Sequence, residues 1–132
     1  MSCKSCIYAA NTATQSISDG GTINFGSAVR RYGSACNVEG GNLTLNGAGY
    51  YDISVNVTIA GTAAGTAVVQ LYKDGVIIPG ASASLTTAAD TTYSASISTI
   101  IRKSCCCESS ITAVVSGVAV SVTSASITSE KV

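Results

Sequence analysis

The residues in this sequence whose type and spacing could do chemistry are six cysteines: Cys3, Cys6, Cys36, Cys105, Cys106 and Cys107. Cys3-Lys4-Ser5-Cys6 has C-x-x-C spacing, which serves metal ligation, redox exchange or structural bonding. In an extended segment Cys105 and Cys107 project to one side and Cys106 to the other. Facing Cys3 and Cys6, that pair would complete a four-thiolate zinc site, although zinc sites favour a longer spacer than the triplet offers. The same five thiols (Cys3, Cys6, Cys105, Cys106 and Cys107) could instead form disulfides. A bond from the N-terminal pair to the triplet would close a loop of ~100 residues, worth up to ~4.7 kcal/mol in the chain-entropy model. A bond across subunits would lock an oligomer. In a reducing cytosol all would stay free thiols. A redox-active reading needs C-x-x-C at the start of a helix in a βαβ unit, and the sequence offers no such context. Cys36 shares its strand phase with Val38 and reads as a small buried hydrophobe. No cofactor is expected, the zinc site at Cys3, Cys6, Cys105 and Cys107 being the alternative.

Other residue types limit catalysis. The chain has no His, so the commonest general base and metal ligand are missing and no Ser-His-Asp or Cys-His site can be built from it. Asp90 and Glu108 fall near strand ends and cannot be argued into a catalytic pair without geometry. Asp52, Asn56 and Asp74 lack the dense oxygen cluster of a calcium site and read as a solvated strand face. An enzyme is therefore not expected.

The elements that must position these residues are strands. Tyr50 to Ile59 is the clearest: Tyr51, Ile53, Val55, Val57 and Ile59 point one way, while Tyr50, Asp52, Ser54, Asn56 and Thr58 point the other. Ala67 to Lys73 is apolar on both sides, with Val69 and Leu71 opposed to Val68 and Tyr72. Such a strand asks for burial by its own core and by something else, for which a neighbouring subunit is the expected source. Asp74-Gly75 then signals a type I′ hairpin. The returning Val76-Ile77-Ile78 is expected to stop at Pro79-Gly80. Further strands are read over Tyr93 to Ile101, Ser110 to Val115 and Val118 to Ile127, the last changing phase at a bulge near Thr123-Ser124. Ile23 with Phe25, and Leu43 with Leu45, mark short strands. Asp19-Gly20-Gly21, Glu39-Gly40-Gly41 and Asn46-Gly47 mark turns. Many short strands with turns at about ten-residue spacing predict an all-β sandwich or barrel.

At 132 residues the chain allows one domain. The expected division is a Cys-containing N-terminal segment over residues 1–7 and a single domain over 8–132. Seven basic and seven acidic residues cancel, and only 11% of the chain is charged. Nucleic acid is disfavoured as a partner, because phosphate binding needs clustered Lys and Arg. The doublets Arg30-Arg31 and Arg102-Lys103 read as solvated strand ends. So few charges point to a surface hidden in an oligomer or working outside the cell. No Sec-type signal and no run of ~20 apolar residues is present, so neither Sec export nor membrane insertion is expected.

Particular runs resemble a family. Gly49-Tyr50-Tyr51-Asp52-Ile53-Ser54-Val55-Asn56-Val57 resembles the central strand of the tumour-necrosis-factor-like jelly roll, which complement globular heads and the tips of bacterial collagen-like proteins share. Val69 through Gly80, with its Lys73-Asp74-Gly75 and Ile78-Pro79-Gly80, is similar to the hairpin that follows it. Ile23-Asn24-Phe25 is similar to its opening strand. The likeness covers most of Tyr8 to Ile127 and is greatest to the short type of Firmicutes and their phages. It departs from the family in lacking a Gly-x-y stalk and in its cysteines. The resemblance implies an all-β jelly-roll sandwich, a homotrimer, and binding, adhesion or display without catalysis.

Tyr51, Val68, Tyr72 and Tyr93 are then the expected oligomer contacts, with Tyr51 and Tyr93 alternatively in the core. The expected role is a structural or display protein on a phage virion, as head decoration or fibre, or on a cell surface, with a capsid or surface protein as partner. The rival is a receptor- or glycan-binding module on the same fold, using loops at 60–65 or 81–90.

Overall fold

Thirteen residues of alternating character, Gly49–Gly61, form the longest strand, β7. The expected face is the buried one: Tyr51, Ile53, Val55, Val57 and Ile59 are 0–3% exposed. The structure is a computed structural model and describes residues 5–103 and 108–131. Ahead of β7 lie β1 (Ser5–Asn11), β2 (Gln15–Ile17), β3 (Gly21–Thr22), β4 (Ser27–Tyr32), β5 (Cys36–Glu39) and β6 (Asn42–Leu45). After it come β8 (Gly65–Lys73), β9 (Val76–Thr87), β10 (Thr92–Lys103), β11 (Ser109–Ser116) and β12 (Val120–Lys131).

These strands make two antiparallel sheets. The first runs β10-β7-β12-β1-β4, with β2 also on β12; the second runs β5-β6-β11-β8-β9, with β3 on β11. Strands far apart in sequence are neighbours, as in a jelly roll: β1 pairs β12 from Ser5↔Lys131 to Asn11↔Ala125. The two inner faces meet in one core, in which Phe25, Ile53, Leu71, Ile111 and Ile127 are fully buried. β1 begins at Ser5 and Ile7 is 2% exposed, so the sandwich starts ahead of the expected boundary at residue 8.

The turn chemistry holds. Asp74 (φ 51°) and Gly75 (φ 82°) both adopt positive φ, as a type I′ hairpin demands. The β12 register shifts between Val122 and Ser124, the expected bulge, and Thr123 donates its hydroxyl to Thr58 O at 3.3 Å.

One strand end differs from expectation. β9 does not stop at Pro79-Gly80 but continues to Thr87. β9 is an edge strand, where a missing N–H breaks no ladder. The pairing passes from Tyr72↔Ile77 to Gln70↔Ser82, so residues 78–81 form a bulge in which Ile78 and Ala81 stay buried and Pro79 and Gly80 are exposed. The Gln70 amide satisfies the carbonyls this leaves, donating to Leu71, Ile78 and Ala81 at 2.9, 2.9 and 3.2 Å. Without that side chain, polar groups would stand unpaired at a half-buried site.

Candidate assembly interface

The outward face of the first sheet is set by register. One row across it reads Tyr32, Cys6, Glu130, Asp52, Ile100; the next reads Arg30, Tyr8, Thr128, Ser54, Ser98. A third reads Ser27, Ala10, Ser126, Asn56, Ser96. The centre is thus a field of short uncharged side chains. They bond to one another: Ser96 donates to Asn56 Oδ1 at 2.7 Å, and the Ser54 and Ser98 hydroxyls lie 3.5 Å apart. Groups already paired within the chain lose less when water is removed from them. Asp52 and Glu130 stand directly opposite each other, an arrangement that disfavours itself.

Exposed apolar side chains gather at the two ends of this face. At one, Ile100 (65% exposed) from β10 meets Val76 and Ile77 from the β8–β9 hairpin. Together with Ile78 and Pro79 they line a groove of about 490 Å³ whose walls also carry Lys73, Asp74 and Arg102. At the other, Tyr8, Val29 and Tyr32 line an open groove of about 510 Å³, with Cys6, Arg30 and Arg31 in its walls. Exposed apolar clusters of this kind mark contact surfaces.

The expected contact residues do not share a surface. Tyr51 is wholly inside the chain's own core, the alternative expected for it. Its hydroxyl reaches Asn46 O and Gly47 O at 2.6 and 2.8 Å, tethering the turn before β7. Burial pushes its phenol above the ordinary value, and the nearby Cys36 adds to the effect. Tyr93 lies on the core side of edge strand β10 and is half-buried. Val68 and Tyr72 lie on the outward face of the other sheet. Val68 sits between Ser84 and Ser116, and Tyr72 between Ile77 and Thr112. Each is half-buried by these cross-strand neighbours, so the second apolar side of β8 is covered in part by its own sheet.

Of the candidate disulfide and zinc cysteines only Cys6 is described. It is a half-buried free thiol, and no disulfide is seen at it. Cys3, Cys105, Cys106 and Cys107 lie outside the described residues. Cys36 is fully buried, with Sγ 3.7 Å from Ser129 Oγ, as a small hydrophobe should be. Among the described residues no group of three or more Cys, Asp or Glu side chains could hold a metal ion.

The segments expected as binding loops are mostly strand. Residues 81–87 belong to β9, and 60–61 and 65 to β7 and β8. The short connections left, 62–64 and 88–91, are tied together at one pole of the sandwich. Gly61 N donates to Thr91 O at 2.8 Å, and the Thr87 hydroxyl donates to Ala63 O at 2.9 Å. What sequence reasoning missed is β4 and the apolar groove beside it. Val29 and Tyr32 flanking an Arg doublet was the available signal.

No family model matches the chain, and no curated protein does. Solved structures do resemble it. The PRD1 vertex protein P5 superposes with a TM-score of 0.67 at 13% identity, over 100% of this chain and 99% of that one. Eiger TNF from S. frugiperda gives 0.68 at 10% identity, over 100% and 94%. The globular domain of zebrafish complement 1qA gives 0.66 at 10% identity, over 96% and 95%. With the strand order and the buried face of β7, these likenesses show that the chain is folded as a jelly roll of the tumour-necrosis-factor and complement-globular-head type.

Proposed function

We propose that this chain is a non-enzymatic structural and display module that assembles as a homotrimer through the outward face of its first sheet. The observation that carries the reading is Ile100 with its neighbours Val76 and Ile77: an exposed apolar cluster at the edge of a face whose centre is short, uncharged and internally hydrogen-bonded. The likeness to a protein named as a phage vertex component supports a place on a virion, and the likeness to cytokine and complement domains supports an exposed setting. On this reading the partner outside the trimer is a capsid or surface protein.

Solution mass tests it. The wild-type chain should run as a trimer at about 10 µM, a concentration at which oligomers with micromolar or tighter affinity persist. Ser98→Arg places a charge on this face beside Ile100 and should yield folded monomer. Thr86→Arg, on the outward face of the other sheet, should leave the mass unchanged. A monomeric wild type, or a Ser98→Arg variant that still assembles, overturns the reading.

A further inference from the structure

The four sheet edges are not treated alike. β9 carries Pro79 and a bulge, β5 is only four residues long, and β10 packs against β9 across the sandwich. Each of these devices discourages pairing with another chain. β4 also has a bulge, at Val29, and touches β5, but it carries no proline and among the described residues nothing pairs with its outer edge. It is six residues long, pairs among the described residues with β1 alone, and has no buried residue on either face. In an antiparallel pair alternate peptide groups point away from the partner, so the outer edge of β4 offers N–H and C=O groups to an incoming strand. The apolar groove lined by Tyr8, Val29 and Tyr32 runs beside it.

Charge identifies the occupant. Arg30 and Arg31 are both exposed, and among the described residues no carboxylate lines the groove. The nearest in the register, Glu130, is two strands in from β4. A second copy would fit poorly, because antiparallel pairing of two β4 edges would bring two Arg doublets together, and like charges across a ladder are destabilising. We propose that the free edge of β4 is a strand-addition site for an extended acidic segment of a partner protein, whose apolar side chains fill the adjoining groove. Main-chain bonds to the β4 edge give affinity, the groove selects alternate side chains, and the doublet selects charge. The site lies at the end of the sheet away from Ile100, so a trimer would carry three copies and bind a multivalent target with avidity.

Three acetylated hexapeptides test this on the ¹⁵N-labelled full chain: one alternating Glu and Val, one alternating Lys and Val, and an N-methylated form of the first that cannot complete a ladder. The Glu–Val peptide should shift the amides of Ser27–Tyr32 and slow their hydrogen exchange, and the other two should not. Arg30→Glu with Arg31→Glu should weaken the Glu–Val peptide at least about fivefold, as expected for two exposed charge pairs, and should create binding of the Lys–Val peptide. Unchanged core amide shifts will show the variant folded, and Arg30→Gln with Arg31→Gln gives a second, milder reading. The proposal is overturned if β4 amides do not move at about 5 mM peptide, weaker than any useful affinity. Equal binding of the N-methylated form, or shifts confined to the Ile77–Ile100 groove, would overturn it too. None of these readings depends on the oligomer, so its failure and that of the trimer are separable.

Discussion

β7 and β4 lie in one sheet and share almost nothing else. β7 has thirteen residues between two partners and buries every second side chain against the opposite sheet. β4 has six residues, one partner and no core beneath it. A ladder of backbone bonds is common to both; burial belongs only to one. The difference teaches that pairing makes a strand, while a covered face decides how much it stabilises and leaves the uncovered one free for contact.

The comparison fails if β7 does not dominate stability. Ile53→Ala removes a fully buried side chain at the centre of the sheet and should cost about 2–5 kcal/mol, read as a lower urea midpoint with unchanged slope. A loss under about 1 kcal/mol would mean the core collapses around the cavity and β7 is not the keystone. Tyr51→Phe should cost less, about 1 kcal/mol, for the bonds to Asn46 O and Gly47 O. It also has a pH signature. The folded-state phenol titrates above its ordinary value of 10.0, so the native state holds that proton more tightly than the unfolded chain. The associated stability is therefore full below about pH 10 and lost as pH rises through the folded value. Urea midpoints on the alkaline side should fall further for wild type than for Tyr51→Phe; parallel falls would show that the phenol contributes nothing there.

How far each region could be read from sequence follows the same division. In β7 a core on one face and solvent on the other wrote a period of two into Tyr51 through Ile59. Positive-φ demands wrote Asp74-Gly75 into the hairpin. The phase change around Thr123-Ser124 recorded the β12 bulge. β4 could not be read, because with neither face covered Ser27-Ala28-Val29-Arg30-Arg31-Tyr32 has no reason to alternate, and its Arg doublet looked like a solvated end. The apolar character of Val68 and Tyr72 was legible, but part of its cover comes from cross-strand neighbours on β9 and β11, which only long-range register reveals. Pro79 misled because whether a proline ends a strand depends on whether that strand lies at an edge, a property of topology that local sequence does not carry.

The smallest effect sharpens the contrast most. Val29 is the extra residue of a bulge: Tyr8 pairs with Arg30 and Ala9 with Ala28, leaving Val29 without a partner on β1. Its side chain is 58% exposed, so truncation removes little area from protection. Val29→Ala should therefore change the urea midpoint by no more than about 0.5 kcal/mol equivalent, the range of surface substitutions that touch no special feature. A hydrophobic side chain of the same volume in β7 is worth several times that. If Val29→Ala instead costs more than about 1 kcal/mol, and the loss grows with protein concentration, the β4 edge is buried between copies of this chain. Arg30 and Arg31 would then have to find carboxylates on a sister subunit, and the acidic partner proposed for that edge would be the chain itself.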